Sequence, residues 1–264
     1  MNERYSHGYD ASVLNSYRSR SAANSAAYLL PHLQADMRLL DVGCGPGSIS
    51  VDFADALPQG QVIAVDVSPV SIQAAAAAHV RENLHFQTAS VYALPFADAS
   101  FEVVHAHQVL QHLADPERAL REMARVLKPS GILAVRDTAY NSMTWQPAMP
   151  ELQQWMDVYQ AIAQRNGGHP NIGPDLAELC REAGFTSIET STADWHYHAG
   201  NGSAAWWGKV WSERALKSEY YQQALDYGLL NEAELHAISR AWLAWSALPD
   251  AEFTMTHHQV LARK

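Results

Sequence analysis

Along the first half of the chain, short apolar runs alternate with stretches whose apolar residues recur every three or four positions, the pattern of strand and helix taken in turn. Strands are predicted at residues 38–42, 61–66, 84–89, 101–106 and 132–137. Helices are predicted at 11–30, closed by Pro31, at 46–57, and from a Ser68 cap with Pro69 behind it through the Ala74–Ala78 run. A short helix follows the fourth strand, and a longer one runs from an Asp115 cap and Pro116 to residue 127. The Pro129-Ser130-Gly131 turn feeds the fifth strand. A helix at 175–183 stops at Gly184 and gives a sixth strand at 185–191; the last strand starts near Phe253. Such βαβ repetition predicts an α/β fold around a mostly parallel sheet. More than fifty residues of helical pattern separate the last two strands, far more than a hairpin needs, and form a candidate lid.

Composition adds a boundary and removes several function classes. All eight tryptophans lie at or after Trp145. A net charge of −10, from 18 Lys+Arg against 28 Asp+Glu, argues against nucleic acid as a partner, because phosphate binding draws on basic residues. No apolar stretch has the length of a membrane span and the start carries no apolar leader, so a cytoplasmic protein without a membrane partner is expected. Cys44 and Cys180 alone make neither a disulfide framework nor a zinc site, and no metal is expected.

The chemistry concentrates in LLDVGCGPG, residues 39–47. Asp41 ends an apolar strand, and Gly43, Gly45 and Gly47 allow a tight turn that exposes main-chain N–H groups at a helix start, a place for a nucleotide-like cofactor. Ser48 stands where the dinucleotide fingerprint has its last glycine, which disfavours NAD and FAD, and the Lys-Ser/Thr of a phosphate loop is missing. Asp66, 19 residues after Gly47 at the end of the second strand, suits two ribose hydroxyls; it also suits the start of the next helix, and the glycine turn favours ribose.

LLDVGCGPGSIS, VIAVDVS and LPFADASFEVVHAHQVLQHLADPERALREMARVLKPSGILAVRD together resemble the class I S-adenosylmethionine-dependent methyltransferases of the methyltransferase-11 type, typified by the ubiquinone/menaquinone C-methyltransferases. The likeness covers residues 36–137 most closely. It implies a Rossmann-like seven-stranded sheet in the order 3-2-1-4-5-7-6 with an antiparallel last strand. One methyltransferase domain over 1–264 follows, with a helical cap at 1–35, a cofactor-binding core at 36–137, a core completion with helical insert at 138–195, a lid insert at 196–250 and the last strand at 251–264. The resemblance also implies that Gly43, Gly45 and Gly47 shape the methionine and ribose pocket, that Asp66 holds the ribose and that Val67 covers the adenine. Where relatives often carry Gly-Asp-Ala, this chain has Ala89-Ser90-Val91, so Ser90 offers a neutral acceptor and adenine recognition shifts to backbone near Val91. Tyr17 and Arg20 share a face of the N-terminal helix, and a solvated face is the preferred reading; related enzymes fold such a helix over the cofactor, which as the other reading would set Arg20 at the methionine carboxylate.

Methyl transfer needs orientation above all, worth roughly 7 to 11 kcal/mol, and a base only for a protonated nucleophile. Candidates for that base stand at the ends of the fourth and fifth strands: His107, His112 and Asp137, with Gln111 where a second histidine would make a pair. His112 and Asp137 equally suit structural hydrogen bonds, and His105 is placed inside the strand. The DWHYH stretch could deliver His196 or His198 to a substrate. Aromatics of the lid (Trp206, Trp207, Trp211, Tyr220, Tyr221, Tyr227, Trp242, Trp245) are mostly expected to be core, with some walling a pocket for a flat, apolar or amine acceptor. The expectation is methyl transfer to a small molecule, by a monomer or homodimer, with the methylated atom (O, N, S or C) open. A cofactor-binding protein without transfer activity and a pericyclic enzyme on the same scaffold are the alternatives.

Overall fold

The computed structural model describes residues 5–8 and 10–264. Its centre is an eight-stranded sheet: β1 (Arg38–Val42), β2 (Gln61–Asp66), β3 (Leu84–Thr88), β4 (Phe101–His107), β5 (Leu127–Thr138), β6 (Thr144–Gln146), β7 (Ser187–His198) and β8 (Glu252–Arg263). β3, β2, β1, β4 and β5 run parallel in that spatial order, and β8 joins β5 antiparallel. β7 pairs with β8 along all of β8, so β5 and the three-residue β6 share the opposite edge of that strand. Without β6, the order is the expected 3-2-1-4-5-7-6. The central strands are buried nearly throughout because helices cover both faces, whereas β7 lies at the sheet's edge and most of its residues are exposed or half-buried.

Helices α3 (Ser48–Ala56), α4 (Pro69–Ala78), α5 (Pro116–Val126) and α7 (Leu176–Glu182) are the crossovers. Ser68 and Asp115 cap α4 and α5, each accepting from the backbone N–H three residues on. Three predicted boundaries are corrected. The N-terminal helix over 11–30 is broken into α1 (Ala11–Tyr17) and α2 (Ala22–Ser25), and Pro31 lies within a 3₁₀ turn. The serines explain the break: Ser16 and Ser19 hydroxyls donate to carbonyls at 2.8 and 2.7 Å, and Ser21 caps a new helix through a reciprocal pair with Asn24. The 129–131 turn is absorbed into β5 as an irregularity, with Ser130 at φ 65°. The sixth strand, expected over 185–191, runs as β7 to His198 and takes in DWHYH, whose alternation is that of a strand edge.

Beyond the sheet, α6 (Pro150–Arg165) packs with α8 (Ser203–Lys217), α9 (Glu219–Asp226) and α10 (Glu232–Ser246), the last three filling the connection between β7 and β8. Their shared core is aromatic: the Trp155 ring lies 4.4 Å from that of Trp211 and 4.9 Å from that of Trp242, all fully buried. Two separate aliphatic cores lie against the two faces of the parallel sheet. No described helix is long and apolar enough to cross a membrane.

Candidate active site

The turn after β1 is tied to β2 by its backbone, with Gly43 and Cys44 N–H groups donating to the Val65 carbonyl at 2.7 and 3.0 Å. Gly43 and Gly45 have φ of 69° and 52°, where a side chain is strained. They differ in what they face. A Cβ on Gly43 would stand 2.4 Å from Val109 Cγ2, but a Cβ on Gly45 would meet nothing within 4 Å. The space before Gly45 is therefore a cradle open to a ligand. Gly47 begins α3 and packs against Phe86, behind the wall.

Asp66 closes this turn from β2. Its Oδ2 accepts from Gly45 N–H at 3.0 Å and its Oδ1 from Ser68 N–H at 2.8 Å, so the carboxylate splints both the glycine loop and the start of α4. With the Val67 N–H as a third backbone donor, the carboxylate still has capacity for a further donor. Burial pushes its pKa up and the backbone donors oppose that. Asp41 is 2% exposed and bound from within the core: Ser50 Oγ donates to it at 2.5 Å and His105 Nδ1 lies 2.8 Å away.

A cavity of about 350 Å³ opens here, lined by Tyr17, Arg20, Gly43, Gly45, Asp66, Val67, Ser90, Val91, His107 and His112 among others. Of the residues the sequence assigns to the cofactor or to the base, Gly47, Gln111 and Asp137 do not line it. Val67 is 65% exposed at its wall, unusual for a large apolar side chain. Ser90 Oγ accepts from Tyr92 N–H at 3.3 Å.

A second chamber, also about 350 Å³, lies between the sheet and α8. Its wall includes His7, Tyr140, Trp195, His196, Tyr197, Trp206, Trp207, Trp211, Arg214 and Met255, while His198 is absent from it. Tyr17, Arg20 and Gln108 line both cavities. Gln108 just past β4 adopts φ 54°, a left-handed conformation rare for a side-chain-bearing residue. Its N–H donates to Arg136 O at 2.7 Å, its Oε1 accepts from Arg20 Nη2 at 2.5 Å, and its amide nitrogen lies 2.8 Å from His257 Nε2. Arg20 also lies 4.1 Å over the Tyr17 ring.

A methyltransferase domain model matches residues 33–223, most of the chain. The chain belongs to the methyltransferase domain family. An uncharacterized methyltransferase of Schizosaccharomyces pombe is 30% identical over 98% of this chain and 96% of its own length. The 27-O-demethylrifamycin SV methyltransferase of Amycolatopsis mediterranei is 36% identical over 71% of this chain and 74% of its own. Among solved structures, a candidate methyltransferase from Bacillus halodurans superposes with a TM-score of 0.60 at 18% identity, covering 90% of this chain and 97% of that one.

In this methyltransferase burial holds the histidines near the junction, and Asp137 behind it, uncharged at neutral pH. The His112 imidazole, 3.1 Å from the Gln111 amide nitrogen, is pushed down to about 3. His107, whose two ring nitrogens have no hydrogen-bond partner, and His257 stacked 5.9 Å from it are pushed well below the ordinary histidine range. Burial raises Asp137 to about 8; its Oδ1 accepts from Gln111 N–H at 3.3 Å, anchoring the 3₁₀ turn Leu110–His112 from behind. Four wall residues carry no signal in the sequence: His7, Gln108, Tyr197 and Arg214. Each is ordinary in its own stretch, and only packing across more than a hundred positions brings His7 to Tyr159, 2.9 Å away, or Arg214 to Ser16.

Proposed function

We propose that this methyltransferase moves the methyl group of S-adenosylmethionine to a small-molecule acceptor held in the aromatic chamber. The observation that carries the reading is the meeting of the two cavities at Tyr17, Arg20 and Gln108. The open cradle before Gly45 and the acceptor capacity left on Asp66 fit such a cofactor. Asp66 would accept from the ribose hydroxyls, Val67 and Val91 would cover the adenine, Ser90 and its neighbouring backbone would meet the adenine edge, and Arg20 over Tyr17 would face the carboxylate. When bound, the cofactor supplies a sulfonium-activated methyl group.

The chain's own work is then positioning and exclusion of water. Gln108 links Arg20 to His257, which ties the cofactor side of the junction to β8. The helices α8 to α10 act as the lid, closing the chamber over the strand ends. With His112 near 3 and Asp137 outside both cavities, neither is a good proton acceptor for a neutral hydroxyl at pH 7. Proximity to an already ionised or free nucleophile is the reading these groups favour. The relative that methylates an oxygen, by its name, agrees with an oxygen nucleophile.

Calorimetric titration with S-adenosylmethionine, followed by incubation of the protein with labelled cofactor and metabolite extracts, tests this. Micromolar binding and acceptor-dependent release of S-adenosylhomocysteine are expected. No binding refutes the cofactor assignment; binding without release in any extract favours a protein that no longer transfers.

A further inference from the structure

The acceptor itself is written in the charges of the chamber, given the methyl-transfer reading above. Arg214 is 4% exposed yet lines the chamber, and among the described residues its Nε has no hydrogen-bond partner. Its Nη2 donates only to neutral groups, Ser16 Oγ and, at 3.5 Å, Val13 O. Arg214 Cζ lies 5.5 Å from the Tyr17 ring that Arg20 covers at 4.1 Å, so two guanidiniums flank one ring. Among the described residues no carboxylate forms an ion pair with either. Asp194, the acidic residue of the chamber wall, is solvent-exposed. A buried cation without a counter-charge is costly, and a bound anion offsets that cost. An amine would add a third positive charge.

The same chamber carries an aromatic cluster. Tyr197 and Trp207 stack at 4.3 Å with their rings 4° from parallel, and Trp206 lies 5.9 Å from each. We propose that the acceptor is a flat aromatic acid whose carboxylate pairs with Arg214 while its ring lies along the Tyr197–Trp207 wall. Arg20, which also lines the cofactor cavity, serves the other side of the junction. A planar guanidinium matches a carboxylate in shape as well as charge, and the chamber's 350 Å³ is within the range of small-molecule sites.

Quenching of tryptophan fluorescence by 1-hydroxy-2-naphthoate and by its uncharged carboxamide tests this without turnover. The acid is expected to bind at least about tenfold more tightly than the amide. Arg214→Gln should erase that preference with the amide affinity unchanged, and Arg214→Lys should keep part of it. Equal affinities, failure of both probes to bind, or a preference that survives in Arg214→Gln would each overturn the proposal. Should Arg214→Gln fail to fold by circular dichroism, the wild-type comparison and Arg214→Lys still decide. S-adenosylmethionine binding is measured on the same samples: its presence beside failed probes sinks only the acceptor class, and its absence sinks the methyl-transfer reading itself.

Discussion

The two cavities that meet at Gln108 are walled in different ways. On the cofactor side most of the wall comes from residues 41–113, four strand ends and the turns that follow them, and its key surface is main chain: the glycine turn, splinted by one carboxylate. On the acceptor side the wall is side chain, gathered from positions as distant as His7 and Met255 around an aromatic core. The difference teaches where each can vary. Main chain held by a parallel sheet tolerates little change, whereas a chamber of side chains on inserted helices can be refitted to a new acceptor without touching the cofactor cradle.

That separation can be broken most forcefully at Trp155. Replacing this fully buried ring by alanine should cost about 3–5 kcal/mol in urea unfolding, while folded protein keeps its S-adenosylmethionine affinity. A parallel loss of affinity would mean the two regions are one unit. Gly43→Ala comes next, at about 2–4 kcal/mol, because it combines a positive φ with a 2.4 Å clash against Val109. Gly45→Ala should cost only about 1 kcal/mol of stability yet weaken cofactor binding more than Gly43→Ala weakens it in the folded fraction, since its methyl enters the cradle.

Asp66→Ala removes charge-assisted bonds worth about 1.5–3 kcal/mol each, so cofactor affinity should drop at least tenfold by calorimetry; NAD should bind neither protein. If affinity is unchanged, Asp66 serves the turn alone. The effect of pH on stability is comparable in size but spread over several pH units. Asp137, near 8 when folded, keeps a proton the unfolded chain has released, so it costs up to about 1.4 kcal/mol per pH unit as pH rises from about 4 to 8. His7, His107, His112 and His257 are depressed and act oppositely: stability they contribute above about pH 6.5 is lost as pH falls below it. Thermal unfolding should peak near pH 6.5, and Asp137→Asn should flatten the alkaline limb and steepen the acid one. The least effect on stability is expected for Trp206→Ala, since the ring is 38% exposed: melting shifts little, and the acceptor KM rises several-fold. A KM left unchanged would leave Trp206 outside the acceptor wall.

By itself the sequence determined the parts whose cause is local. β1 and β2 have the bounds their apolar runs predict, Ser68 and Asp115 cap the helices they precede, and Gly43 and Gly45 take positive φ, because chain-local sterics and hydrogen bonds decide these. The parallel sheet followed from βαβ repetition, and its strand order from the resemblance those motifs carry. Only the tertiary structure decided the rest. Serine hydroxyls competing for the backbone split the N-terminal helix, where periodicity read one continuous face. Gln108 gained its left-handed backbone and its place between Arg20 and His257 from contacts 88 and 149 positions away. Which tryptophans became core and which became wall was also set there: Trp206, Trp207 and Trp211 line the chamber, and Trp242 and Trp245 do not. Helical spacing records which residues share a face of α8 or α10, but not what that face meets, and burial against a distant segment is a property of the packed chain alone.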